Sequence, residues 1–260
     1  MTADAVLCVV DRGVATITMN RPETRNRLDA EGMSQLAAHL EACAVDQAVR
    51  VIVLTGSGST FCSGADLSAA AAGDESGFAG SGPQAMVRVL TALLDSPRPV
   101  VAKVQGHVAG GGNGLVAACD IAVASNAARF AFSEVRVGVA PAVISVVCLA
   151  VMNRRDAQEL FLTGERVDAE RVLEAGLLTR IAPPETLDDV VAGYVEMLIA
   201  GGPEALAGAK DLVRRVPGLP RREAFDMAAG ESARLFSSDE AREGLTAFLE
   251  KRLPTWAASG

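Results

Sequence analysis

Two short stretches of this 260-residue chain combine small residues with the makings of exposed backbone. The first is Phe61-Cys62-Ser63-Gly64-Ala65-Asp66-Leu67, and the second is Ala109-Gly110-Gly111-Gly112-Asn113-Gly114-Leu115. Each follows an apolar run, and the second leads into a helix. Glycine lets backbone N–H groups approach a ligand with no side chain in the way. A helix start adds unpaired N–H donors and a partial positive charge. Two such turns aimed at one oxygen would stabilise negative charge developing there, as an oxyanion hole does. Glycine turns before helices are also common plain connections, so the turns alone leave both readings open. Dinucleotide binding fails in detail, because Gly110, Gly111, Gly112 and Gly114 do not have GxGxxG spacing. A phosphate-binding P-loop fails too, since no Gly-Lys-Ser/Thr follows. Glu134, taken alone, reads as a solvated carboxylate after a strand. Asp66 and Asp120 read as turn and cap residues, His39 as a surface residue, and His107 as structural or in touch with a ligand. No cluster has metal-ligand spacing, and no metal is expected.

These turns need elements to hold them. Val6–Val10 and Val14–Met19 are β-rich around the turn Asp11-Arg12-Gly13, which predicts a hairpin ended by Asn20-Arg21-Pro22. A helix is expected from Asp29, with Met33, Leu36, Leu40 and Cys43 on one face. The continuous apolar run Val51–Leu54 suits a strand buried on both faces. Ser68–Pro83, rich in Ala, Gly and Ser, reads as a loop or loose helix. Gln84–Leu94 reads as a helix, and Val100–Val104, Ile121–Ala124 and Arg129–Phe132 as strands. The apolar run Ala142–Met152 is too short for a membrane span and is expected to pack in the core. Helices are predicted over 154–162, 168–175, 186–200, 203–215, 221–236 and 239–251. The pattern is an α/β core over residues 1–195 followed by a C-terminal helical region over 196–260.

Composition narrows the class. The net charge of −8 argues against nucleic acid or an anionic membrane as partner. Aromatic residues make up 4% of the chain, so Ala, Val and Leu must build the core. The cysteines Cys8, Cys43, Cys62, Cys119 and Cys148 are scattered and odd in number, which favours small buried thiols in a reducing, cytoplasmic setting over a disulfide framework.

In combination these segments resemble the enoyl-CoA hydratase/isomerase (crotonase) family. The resemblance rests on Asn20-Arg21-Pro22, Val51-Ile52-Val53-Leu54-Thr55-Gly56, both glycine turns and Ala118-Cys119-Asp120-Ile121. It continues through Phe130–Gly138, Leu162-Thr163-Gly164 and Ala175-Gly176-Leu177, in order along nearly the whole chain. It implies a superhelix of ββα turns, assembled as a homotrimer or dimer of trimers. It implies an acyl-CoA thioester as substrate, with no cofactor beyond the coenzyme A that enters with it. The Ala65 and Gly111 N–H groups would form the oxyanion hole, and Glu134 would be the general acid/base. The substrate's CoA moiety would meet Arg25, Arg27, Gly64, Asp66, Leu67 and Gly110, with Phe248 and Lys251 reaching CoA bound to a neighbouring subunit.

The chain departs from the family's hydratases at one place: their first glutamate is Gly114 here. Isomerases of the family that move a double bond from the 3- to the 2-position keep only the later glutamate. A subgroup hydrating branched or carboxylated enoyl-CoAs also carries glycine there, with a stretch like Pro141-Ala142-Val143-Ile144-Ser145. Under the branched or carboxylated reading, a substrate group would fill the space left by glycine. Decarboxylation or thioester hydrolysis through the same enolate, or acyl-CoA binding without turnover, are the alternatives.

Overall fold

The computed structural model describes residues 4–65 and 81–258. Strand β1 (Val6–Asp11) pairs antiparallel with β2 (Val14–Met19), from Val6 opposite Met19 to Asp11 opposite Val14. Arg12 and Gly13 both have positive φ, as a tight two-residue hairpin turn requires. Strands β3 (Val51–Gly56), β5 (Val100–Val104), β7 (Ile121–Ser125) and β10 (Arg180–Ala182) continue the sheet in the order β1-β2-β3-β5-β7-β10, parallel from β2 onward. Every residue of β3 is buried, because the sheet is covered on both faces. Ile52 and Leu54 face the main core with α1 (Ala30–Val45) and α2 (Gly82–Asp95). Val51 and Val53 face a second core completed by Leu187 and Val191 of a helix over Leu187–Ala200. Helix α1 starts where Asp29 accepts a hydrogen bond from the Gly32 N–H at 2.7 Å. Its buried face holds Met33, Leu36, Ala37, Leu40 and Cys43.

A second sheet has the order β4 (Thr60–Cys62), β6 (His107–Ala109), β8 (Arg129–Ala131) and β9 (Arg166–Asp168). Of these three-residue strands, β8 matches the strand expected over Arg129–Phe132, whereas β4 and β9 are not expected as separate elements. Three residues carry no alternation, and their pairing comes from the superhelical path of the chain. Helices α3 (Gly111–Ala118) and α6 (Ala169–Glu174) pack on this sheet, and α4 (Ala142–Val151) packs on α3 and on α5 (Arg154–Thr163). Helix α4 corrects the expectation for residues 142–152. Only Ile144, Val147 and Cys148 are buried in it, while Val146 and Leu149 are 74% and 55% exposed, so one face meets the core and the other faces outward.

The C-terminal part is helical as read: α7 (Leu187–Ala200), α8 (Pro203–Arg215), α9 (Arg221–Phe236), α10 (Asp239–Glu250) and α11 (Thr255–Ala258). Helix α7 runs across residue 195 and packs on the main sheet through Tyr194, Val195, Leu198 and Ile199. Helix α8 is tied to the core by Lys210, whose Nζ lies 2.8 Å from Asp120 Oδ2. Asp120 also accepts from the Val100 N–H at 2.7 Å, so it joins β5 to α8 where a turn or cap residue was expected. No single helix among the described residues is long and apolar enough to cross a membrane. Most of the stretch read as a loop or loose helix, Ser68–Pro83, lies outside the described residues.

Candidate active site

Strands β4, β6 and β8 are parallel neighbours, so their C-terminal ends share one edge of the small sheet. The chain leaves that edge through Gly64–Ala65, through Gly110–Gly111 and through the turn Ser133–Val137 that carries Glu134. The three exits touch. Gly64 has φ +89°, and a Cβ there would lie 2.9 Å from the Ala109 carbonyl oxygen. Gly110 has φ +51°, and a Cβ there would sit 3.6 Å from Gly64 Cα and 3.5 Å from Glu134 Oε1. Both positions therefore need glycine for backbone conformation and for close approach. The sequence reading named Gly64, Ala65, Gly110, Gly111 and Glu134 from distant stretches, and the fold brings them together.

Gly111 is the first residue of α3, so its N–H has no carbonyl one turn back within the helix. Neither the Gly111 N–H nor the Ala65 N–H makes a backbone hydrogen bond among the described residues. Ala65 is held by a bridge to Leu28, whose N–H donates to the Gly64 carbonyl at 2.8 Å. A Cβ on Gly111 would lie 2.7 Å from Met86 Cε and 3.4 Å from Leu28 Cδ1, so the wall beside this turn is aliphatic.

Glu134 is half-buried, and its Oε2 is buried without a hydrogen-bond partner among the described residues. Burial raises its carboxyl above the ordinary range, and its own backbone N–H offsets this in part. A carboxylate so placed is a stronger base than a solvated one and keeps a free oxygen for a proton. Cys148 on α4 is close enough that Glu134 adds to the rise of its thiol, which burial chiefly causes.

Gly114 lies one helical turn beyond Gly110 and is buried. A Cβ there would be 2.4 Å from Ile144 Cγ2 and 2.9 Å from Ile144 Cβ. The expectation of space left for a substrate group is thus corrected: α4 packs its Ile144 into that space.

Two asparagines missed by the sequence reading hold the turns. Asn113, fully buried, donates through Nδ2 to the Ala131 carbonyl at 2.9 Å and to Gly110 at 3.2 Å. Together with the Gly110 N–H bond to Ala131 at 3.0 Å, it ties the glycine turn to β8. Asn26, 2% exposed and with positive φ, donates to the carbonyls of Ser57 and Thr60 at 2.9 and 2.7 Å. It anchors the segment carrying Arg25, Arg27 and Leu28. The available signal was a lone amide within an otherwise apolar stretch at Asn113, and an Asn inside a turn at Asn26.

Arg25 is exposed and Arg27 half-buried on the segment leading to Leu28. His107 starts β6, at the end away from the glycine turn. Its Nε2 lies 3.0 Å from the Arg166 guanidinium, and partial burial followed by Arg166 lowers its basicity. Phe248 is 80% exposed on α10, and Lys251 follows it in a left-handed conformation that ends the helix. None of the contacts described for Gly64, Gly110, Gly111 and Glu134 involves either of them. Asp66 and Leu67 lie outside the described residues.

The sequence pattern of the enoyl-CoA hydratase/isomerase family matches residues 10–259. The chain is 32% identical over 249 residues to a carnitinyl-CoA dehydratase of Citrobacter koseri, covering 94% of each. It superposes on the crystal structure of an enoyl-CoA hydratase from Shewanella pealeana with a TM-score of 0.91 at 31% identity, covering 97% of this chain and 96% of that one. The corresponding figures for an enoyl-CoA hydratase of Mycobacterium smegmatis are 0.87, 34%, 97% and 98%. The chain belongs to the enoyl-CoA hydratase/isomerase family.

Proposed function

We propose that this protein acts on an acyl-CoA thioester through an enolate, with Glu134 as its general acid/base. The observation that carries the reading is the half-buried carboxylate of Glu134, with Oε2 unpartnered, set against the Gly110 turn. The thioester oxygen accepts from the Ala65 and Gly111 N–H groups. Charge moving onto that oxygen as Cα gains carbanion character is held by donors already in place, which lowers the barrier without reorganisation. Glu134 takes or returns the proton at carbon, and its raised basicity suits that role. Coenzyme A enters as part of the substrate and is held by Arg25, Arg27, Gly64, Asp66, Leu67 and Gly110.

With Gly114 in place of a carboxylate, Glu134 carries every proton transfer alone. That favours moving a double bond between carbons, where one carboxylate lifts a proton and returns it to another carbon. Hydration is the second reading, supported by relatives that bear hydratase names. In hydration Glu134 would both activate the water and protonate Cα. Incubation with 3-enoyl-CoA and 2-enoyl-CoA, with products separated by chromatography, decides between them. Turnover of neither, together with equal calorimetric affinity for an acyl-CoA and its free acid, would overturn the proposal.

We also propose a homotrimer or dimer of trimers. Phe225, Phe236, Phe248 and Leu249 on the C-terminal helices, and Leu253 between the last two, are exposed apolar surface that a second copy would cover. In that assembly Phe248 and Lys251 would reach the neighbour's CoA. A monomer by sedimentation at micromolar concentration would refute it.

A further inference from the structure

Cys8 lies on β1 and Cys43 near the end of α1, 35 residues apart in sequence. Their Sγ atoms are 3.8 Å apart, and among the described residues no other two thiols are in contact. Alternation along β1 turns Val6 and Cys8 toward α1 and leaves Leu7 and Val9 exposed. Cys8 is half-buried and Cys43 is buried in the core. The pair is therefore asymmetric. Cys8 is the partly exposed member and Cys43 is sheltered behind it. Burial, followed by the neighbouring Cys8, pushes the Cys43 thiol up to about 12, so Cys43 is not the sulfur that meets an oxidant first. A disulfide needs the sulfurs at about 2.05 Å, so bond formation asks for an approach of somewhat under ~2 Å between a strand and a helix end.

We propose that Cys8 and Cys43 form an oxidative modification site, in which a hydroperoxide converts the two thiols into a reversible disulfide joining β1 to α1. The Cys8 sulfur attacks one peroxide oxygen and the O–O bond breaks, the thiol proton passing to the departing oxygen. Cys8 becomes a sulfenic acid, and with hydrogen peroxide the second oxygen leaves as water. Cys43 then attacks the Cys8 sulfur, forming the S–S bond and releasing a second water. In sum, two thiols and one hydrogen peroxide give one disulfide and two waters. A thiol reductant reverses the change. The proposal is independent of the substrate assigned above.

The test treats the purified, fully reduced protein with a small excess of hydrogen peroxide, then denatures it and counts free thiols. Loss of two of the five thiols is expected, with peptide mapping joining the Cys8 and Cys43 peptides and dithiothreitol restoring the count. The oxidised form should melt several degrees higher, because a closed loop of this length restricts the unfolded chain. Cys8→Ser and, separately, Cys43→Ala should each remove the crosslink. The wild-type mapping stands without them if either variant folds poorly. Five remaining thiols, a crosslink elsewhere, or Cys8 oxidised to sulfinic acid beside a free Cys43 would each overturn the proposal.

Discussion

Gly114→Ala is the sharpest test of how α4 meets α3. In a helix interior, replacing glycine by alanine ordinarily stabilises by roughly 0.5–1 kcal/mol. Here the new Cβ would lie 2.4 Å from Ile144 Cγ2 and 2.9 Å from Ile144 Cβ, against the 3.4–4 Å of ordinary contact. A rotamer change can move Cγ2 but not Cβ, so α4 itself must shift. Overpacking of this kind costs ~1–3 kcal/mol, which outweighs the helix gain and leaves Gly114→Ala destabilising. Ile144→Ala alone should cost ~2–5 kcal/mol, because its side chain is 4% exposed in the main core. In the Ile144→Ala background the contact with Cγ2 is gone while the one with Cβ at 2.9 Å remains, so Gly114→Ala should cost less there than in the parent. The assay is urea unfolding of the four proteins at one fixed concentration, since assembly would make stability depend on it. A coupling above ~1 kcal/mol is expected from the double-mutant cycle. A stabilised Gly114→Ala, or two effects that add to within ~0.5 kcal/mol, would refute the packing argument. By the same reasoning, Gly114→Glu alone should not gain hydratase activity, since the carboxylate has no room until Ile144 is trimmed.

Gly111→Pro should remove one oxyanion donor and lower turnover by ~10²–10³, with circular dichroism confirming the fold. Asn113→Ala should lower kcat more than it changes KM, because the carbonyls of Gly110 and Ala131 lose the amide that fixes the turn. The pH profile follows from Glu134. Its carboxyl is raised in the folded state, so kcat/KM should climb as pH rises through that raised value and fall below it. The stability sign is opposite. The fold binds the Glu134 proton more tightly than the unfolded chain does, so stability is lost as pH rises from the unfolded pKa through the folded one. Glu134→Gln should therefore gain stability over the parent as pH increases across that window, measured by thermal unfolding at several pH values.

The legible parts of the fold were those with a period or a cap. Helix α1 announced itself through Met33, Leu36, Leu40 and Cys43 together with Asp29, and β3 through an unbroken apolar run. In the small sheet β8 was legible but β4 and β9 were not, because three residues carry no alternation, and the sheet's order is set by how distant segments stack. The site shows the same division. The glycine turns carry their own physical meaning, whereas Glu134 looks like any loop carboxylate until the family resemblance gives it a place. Its placement comes from contact with the glycine turn at Gly110, which is distant in sequence. Ile144 and Gly114 are 30 residues apart, and only packing reveals that one explains the other.

The central claim is that Glu134 moves the proton while the backbone of Ala65 and Gly111 holds the enolate oxygen. Glu134→Gln keeps size and hydrogen bonding and removes only the acid/base function. Its steady-state turnover on 2-enoyl- and 3-enoyl-CoA, read beside calorimetric binding of a non-reactive acyl-CoA, separates chemistry from binding. The account predicts intact binding and a fall in kcat of at least ~10²–10⁴, whereas turnover within about threefold of the parent would contradict it.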